Sequence, residues 1–296
     1  MIDEPLERAA ASGDGATTDD PLQQTGARVD WAGVEHRPAR AGARIACLVP
    51  SITELLFALD LGDAVVARTG FCVHPRDAVR SVPKIGGTKD PDVAHLRRLA
   101  PTHVIVNVDE NRREVVDEIA RFVPHVIVTH PQHPDDNRRL YALIGGVFGR
   151  DRAAAALAAR FDAARVAVDT AAAGWPRERV LYLIWRNPWM TVRTDTYVGT
   201  TLATVGWDVV ALADPRRYPA LDADALAWRD ADRILLSTEP YAFTRRDVEA
   251  LQALHAKPVQ LVDGEWTSWY GPRAIDGLRA LASLRASATG APSPRP

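Results

Sequence analysis

Cys72 and His74 stand two residues apart in "GFCVHPRD", a thiol and an imidazole that together could hold a metal. Two ligands make half a site. His130 and His133 in "THPQHPDD" could complete it, yet histidines beside prolines are common at surfaces, and a structural metal needs a closed ligand set. No resident metal is assigned. Glu54, Glu110 and Glu239 are candidate general bases, but nothing in their spacing pairs them. Gly86 and Gly87, ahead of Thr88 and Lys89, lack the spacing of a phosphate loop, and there is no nucleophile elbow or metalloprotease helix. No catalytic residue is assigned, and the chain reads as a non-enzyme.

The stronger signal is aromatic. In "LYLIWRNPWMTVRTD", Trp185, Arg186, Asn187, Pro188, Trp189 and Met190 fill what reads as a loop after a buried strand. Further on come Tyr241 and Phe243, then "DGEWTSWYGPR" with Trp266, Trp269 and Tyr270. Flat apolar area concentrated on neighbouring loops of one half reads as a binding surface. The first half offers Ser51, Phe71, Cys72, His74, Lys89 and Asn111 at the same place, the carboxyl ends of its strands, where ligands of parallel sheets collect. Ser51 with Glu54 three residues on reads equally well as a helix capping box.

Short β-type runs alternate with helical runs, which predicts an α/β fold with parallel sheets. "RIACLV", "AVVART", "THVIVN" and "HVIVT" are strands of the first half, and "RVLYLIW", "DVVAL", "RILLST" and "PVQLVD" of the second. Residues 150–173 contain neither Gly nor Pro, and Leu157, Phe161, Ala164 and Val168 recur at helical spacing. At about 1.5 Å per residue this helix spans roughly 35 Å, long for a crossover within one sheet and suited to a strut between two lobes. The domain reading is a disordered tail over 1–43, an N-terminal α/β lobe over 44–149, a bridging helix over 150–173, a C-terminal α/β lobe over 174–285 and a second tail over 286–296. The cleft between the lobes is the default ligand site.

Composition excludes several classes. A formal net charge of -2 gives no reason to expect nucleic acid as partner, and no run of about 18 apolar residues could span a membrane. Cys47 and Cys72 are too few for a disulfide framework. "MIDEPLERAAASGDGATTDD" has acids where a signal peptide carries bases, so the chain as written reads as cytoplasmic, and as periplasmic if translation starts upstream.

The order "RIACLVPSITELLFALDLGDAVVART", "GGTKDPDVAHLRRLAPTHVIV", a long Ala-rich helix and "VQLVDGEWTSWYGPRAIDGLRAL" resembles the substrate-binding proteins of ABC importers for cobalamin and iron chelates. These are the helical-backbone metal receptors, with two Rossmann-like lobes joined by one rigid helix, a class III periplasmic-binding-protein-like fold. The resemblance covers about residues 44–285 and is closest to the cobalamin-binding branch. It implies a corrinoid, or less readily a haem or ferric chelate, as ligand rather than as a cofactor of the protein's own. It also implies aromatic walls, with Trp266 where the family places a tryptophan, Trp185 and Trp189 as a further wall, and Arg186 at the ligand's edge. An ABC permease is the implied partner, although Ala94 or His95 and Ser268 stand where the family carries its docking acids. Beside this receptor reading stand two others: an enzyme on the same scaffold, and a cytoplasmic haem or metal chaperone with Cys72 and His74 as axial ligands.

Overall fold

A computed structural model of the protein describes residues 28–222 and 224–289. The chain divides into two compact units. Of the described residues, unit 1 takes 28–130 together with Arg138–Ala158, and unit 2 takes Pro131–Asn137 and 159–289.

Unit 1 is built on four strands, β1 (Ile45–Cys47), β2 (Val65–Arg68), β3 (His103–Asn107) and β4 (His125–Thr129), in the order β2-β1-β3-β4 and all parallel. All five residues of β3 are buried, as expected for a Val- and Ile-rich strand covered on both faces. Helices α1 (Pro50–Ala58), α2 (Val93–Arg98) and α3 (Arg113–Ala120) follow β1, β2 and β3. Helix α1 begins at Pro50 with Val49 as its cap and no side-chain capping bond. Proline, lacking an N–H and fixed near helical φ, takes the first position, so Ser51 lies inside the helix and the capping-box reading is wrong.

The tail boundary near residue 43 also shifts. Residues from Arg28 on are folded: Asp30, 1% exposed, accepts hydrogen bonds from Ala32, Val34 and Val128 N–H and pairs with His36, while the Arg139 guanidinium lies over the Trp31 ring. This segment makes a single bridge, Val29 to Glu35, rather than a repeating element, so periodicity could not reveal it. Residues 1–27 lie outside the described residues.

Two helices run through both units. One is α4 (Asp136–Phe148) and the other α5 (Asp151–Ala172), whose 22 residues make it about 33 Å long. Leu157, Phe161, Ala164 and Val168 of α5 are all buried. A β-carbon at Gly145 would approach Ala154 Cβ to 2.5 Å, so only glycine lets α4 and α5 come this close within unit 1.

Unit 2 holds β5 (Glu178–Trp185), β6 (Trp189–Thr191), α6 (Tyr197–Ala203), β7 (Trp207–Val209), β8 (Ala220–Leu221), α7 (Leu226–Asp230), β9 (Arg233–Ser237), α8 (Arg245–His255), β10 (Val259–Val262), α9 (Gly264–Ser268) and α10 (Arg273–Thr289). Its sheet runs β10-β9-β5-β6-β8, with β7 beside the start of β5. It is mixed rather than parallel throughout, because β6 runs antiparallel to both of its neighbours, β5 and β8. Helix α10 continues past residue 285, the expected end of the lobe, and Ala286 is fully buried; residues 290–296 lie outside the described residues.

A histidine in unit 1 gives a pH test of this fold. His103, 5% exposed, stacks on His125 at 4.6 Å and meets the edge of Phe148. Burial first, then the neighbouring His125 and His36, pulls its pKa from 6.5 down to about 4. A depressed histidine favours the folded state fully above 6.5 and loses that contribution as pH falls toward 4, a change of about 3 kcal/mol. Urea unfolding at pH 7.5 and 4.5 is expected to show this drop in the wild type and a flatter profile in His103→Asn. The Asp30 carboxyl is held low: its hydrogen bonds outweigh a larger single push upward from burial, so its own contribution is lost only at more acid pH.

Candidate functional site

Strands β10, β9 and β5 of unit 2 are neighbours and parallel, so their exits open on one side. The chain leaves β5 at Trp185 and returns at once as β6, with Trp185 opposite Met190. The stretch that reads as a loop is therefore a hairpin. Trp185 ends one strand, Trp189 opens the next, and only Arg186, Asn187 and Pro188 turn. Asn187 has φ +64, a left-handed conformation that asparagine accepts more readily than most residues.

The exit of β9 is drawn against this hairpin where Tyr241 N–H donates to the Ile184 carbonyl at 3.4 Å. Trp185 stands edge-on to Tyr241 at 5.6 Å between ring centres. Trp189 stacks parallel on Phe243 at 6.1 Å and meets Trp228 edge-on at 5.5 Å. Phe243 and Trp228 are each 4% exposed and form the floor, whereas Trp185 is 39% exposed. Trp185 is the presented ring, braced by Tyr241, and Trp189 packs into the cluster of Phe243 and Trp228.

Arg186 is already engaged. Its guanidinium lies over Trp189 at 5.6 Å, and Nη1 donates to Asp247 Oδ1 at 2.5 Å. Asp247 Oδ2 accepts from both the N–H and the hydroxyl of Thr244, each at 2.8 Å, which is the capping box of α8. Burial pushes the Asp247 carboxyl up, but the Thr244 bonds and the Arg186 charge outweigh it and hold it below its ordinary value.

The three aromatics after β10 separate. Trp266 on α9 is half-buried, but Trp269 and Tyr270 are 8% and 5% exposed. Trp269 Nε1 donates to Glu239 Oε1 at 2.7 Å, Ser268 Oγ donates to the same oxygen at 3.0 Å, and Tyr270 meets Tyr197 edge-on. Burial pushes the Glu239 carboxyl up against these two donors. Trp269 and Tyr270 are thus scaffold of α9, not an exposed wall. Gly264 is needed here, since a β-carbon would fall 2.3 Å from Glu239 Cγ.

In unit 1 the exits are more polar. Phe71 and Val73, after β2, are 63% and 45% exposed, and His74 is half-buried. Asn111, 5% exposed, ties three segments: its Nδ2 donates to Thr88 O at 2.9 Å and Leu48 O at 3.4 Å, and its Oδ1 accepts from Asn107 N–H. Lys89 Nζ donates to the Asp109 carbonyl at 2.7 Å. Gly86, at φ +95, makes a tight turn in which Gly87 N–H donates to Asp90 O. Ser51 Oγ is buried without a hydrogen-bond partner.

Cys72 is fully buried, its sulfur 3.1 Å from the Thr53 hydroxyl and 3.2 Å from that of Thr69, and burial pushes the thiol up. A sealed, protonated thiol is no axial ligand, which removes the Cys72–His74 pair from the chaperone reading. His133 Nδ1 lies 3.3 Å from Asp135, and His130 Nε2 lies 3.6 Å from Asp109. Among the described residues no three His, Cys, Asp or Glu side chains form a group able to hold a metal. A cavity of about 380 Å³ in unit 2, lined by His133, Arg165, Trp175 and Arg177 among others, has its arginines paired with Asp135, Asp169 and Asp208.

The sequence reading missed Asp247 and Trp228. The "T-x-x-D" spacing of Thr244 and Asp247 was a usable signal for the first. Nothing local marked Trp228 as the ring beneath Trp189.

Two α/β units with a long helix passing from one to the other define the class III periplasmic-binding-protein fold. The chain belongs to the periplasmic binding protein family, which it matches over residues 45–259. It is similar to the vitamin B12-binding protein of Yersinia pestis, 28% identical over 98 residues, or 33% of this chain and 35% of that protein. That match spans about a third of the curated relative's length. Among solved structures, the periplasmic vitamin B12 binding protein of Vibrio cholerae superposes with a TM-score of 0.72 at 17% identity, covering 83% of this chain and 97% of the other. The periplasmic haem-binding protein of Roseiflexus sp. RS-1 gives 0.70 at 22%, covering 83% and 98%. No helix among the described residues is long and apolar enough to cross a membrane.

Proposed function

We propose that the chain is a solute receptor of the ABC-importer type whose ligand is a planar metal-chelate macrocycle, a corrinoid ahead of a haem or ferric chelate. Trp185 carries this reading: a large ring, 39% exposed, at the end of a buried strand and braced edge-on by Tyr241. A braced indole offers a flat apolar contact with little rotamer freedom left to lose, which suits a rigid macrocycle. Half-buried Trp266 on the neighbouring exit extends the surface in unit 2, and exposed Phe71 and Val73 give unit 1 an apolar contact of its own. The names of the relatives, for vitamin B12 and haem, support the ligand class. The reading implies the periplasm and an ABC permease as partner, in preference to the cytoplasmic reading of residues 1–20. It assigns the chain no reaction.

The test is a tryptophan-fluorescence and visible-absorbance titration with cyanocobalamin, haemin and a ferric siderophore. Saturable quenching by cyanocobalamin at micromolar concentration is expected, with weaker binding of the other two. Absence of binding to all three would end the receptor reading.

A further inference from the structure

The pairing of Arg186 has a consequence for selectivity that rests on the receptor reading. A guanidinium at the rim of an aromatic surface would ordinarily select a ligand carrying free carboxylates, because the bidentate contact is strong and charge-assisted. Here that charge is offset. Asp247, 8% exposed, sits 2.5 Å from Arg186 Nη1, and its other oxygen is committed to Thr244. Its ionised state is maintained by those contacts. The Arg186 side chain nevertheless remains 42% exposed, so N–H donors are presented without net positive charge. A carboxylate arriving there would compete with Asp247 for the guanidinium and meet like charge at close range. A carboxamide oxygen accepts the same N–H groups without that repulsion.

We infer that Asp247 is a specificity-determining residue: by neutralising Arg186 it makes this face favour a macrocycle fringed with uncharged carboxamides over one fringed with carboxylates. Asp247 touches the ligand only through Arg186 and is a positioning residue in that sense.

The experiment compares cyanocobalamin with its acid-hydrolysed monocarboxylate derivatives and with haemin, in wild type, Asp247→Asn and Arg186→Gln, with the unfolding midpoint of each recorded. Wild type is expected to bind cyanocobalamin about tenfold tighter than the carboxylates. Asp247→Asn should cut that ratio about tenfold by strengthening carboxylate and haemin binding, and the gain should weaken as salt is raised. Arg186→Gln leaves the capping box intact and tests the opposite direction. With Asp247 uncompensated, carboxylates should weaken about tenfold more than cyanocobalamin. An unchanged ratio in a folded Asp247→Asn, or equal losses for both ligand types in Arg186→Gln, overturns the inference while leaving the receptor reading standing. Wild type binding none of the ligands overturns both.

Discussion

Trp185→Ala is expected to weaken cyanocobalamin binding about 30-fold while leaving the unfolding midpoint nearly unchanged. At 39% exposed and braced edge-on by Tyr241, the ring contributes little to the core, yet a tryptophan at the centre of a contact commonly accounts for about 2 kcal/mol of binding. Trp189→Ala should differ in its effect on stability. That ring is held between Phe243, Trp228 and the Arg186 guanidinium, so its loss opens a void beneath the hairpin and lowers stability along with affinity. Paired titration and thermal-unfolding curves separate the two. Loss of stability without loss of affinity in Trp185→Ala would show that the presented ring is not a ligand contact.

The largest stability effect is expected at the opposite end of the unit 2 strands. Glu178, at the start of β5, accepts bonds from Arg233 Nε at 3.0 Å, Arg285 Nη1 at 2.8 Å and Trp207 Nε1 at 2.9 Å. Arg285 is 2% exposed and Trp207 fully buried. Burial pulls the Arg285 pKa down, and the Glu178 charge opposes that pull. Glu178→Ala takes a carboxylate from two confined arginines and the acceptor from an indole N–H. A loss of about 3–5 kcal/mol follows, enough to unfold a protein of ordinary stability in part. Glu178→Gln keeps an acceptor of the same shape and should lose less. Urea unfolding measures both, and a change below about 1 kcal/mol in Glu178→Ala would mean the cluster adds nothing net.

How much of this could be read from the chain depends on whether the signal was local. The strands of unit 1 were legible because both faces are buried and the runs are apolar throughout, and α5 was legible from its uninterrupted helix formers and buried stripe. The α1 start was misread because Ser51 and Glu54 fit a capping pattern that Pro50, one residue earlier, had pre-empted. The same pattern held at Thr244 and Asp247, where no proline intervenes. In the aromatic surface the hairpin was mistaken for a loop, since β6 is three residues long and carries no alternation. Which tryptophans are presented and which are scaffold is a tertiary fact. Trp269 and Trp266 look alike in "DGEWTSWYGPR", and what sets Trp269 apart includes the Glu239 carboxylate, thirty residues upstream of it.

The folded stretch from Arg28 onward bears on where this protein can be cut. The outer strands of the unit 1 sheet are β2 and β4, and neither is left bare: Arg68 exchanges backbone bonds with Pro83 and Ile85, while Val128 donates to the Asp30 carboxylate and accepts from Trp31 N–H. A chain trimmed to residue 44 would keep every strand and lose the Asp30–Trp31 clasp. Val128 would then offer an open donor and acceptor to the matching strand of another molecule. The short segment that reads as part of a disordered tail thus covers the donor and acceptor of Val128 on the outer strand of this sheet.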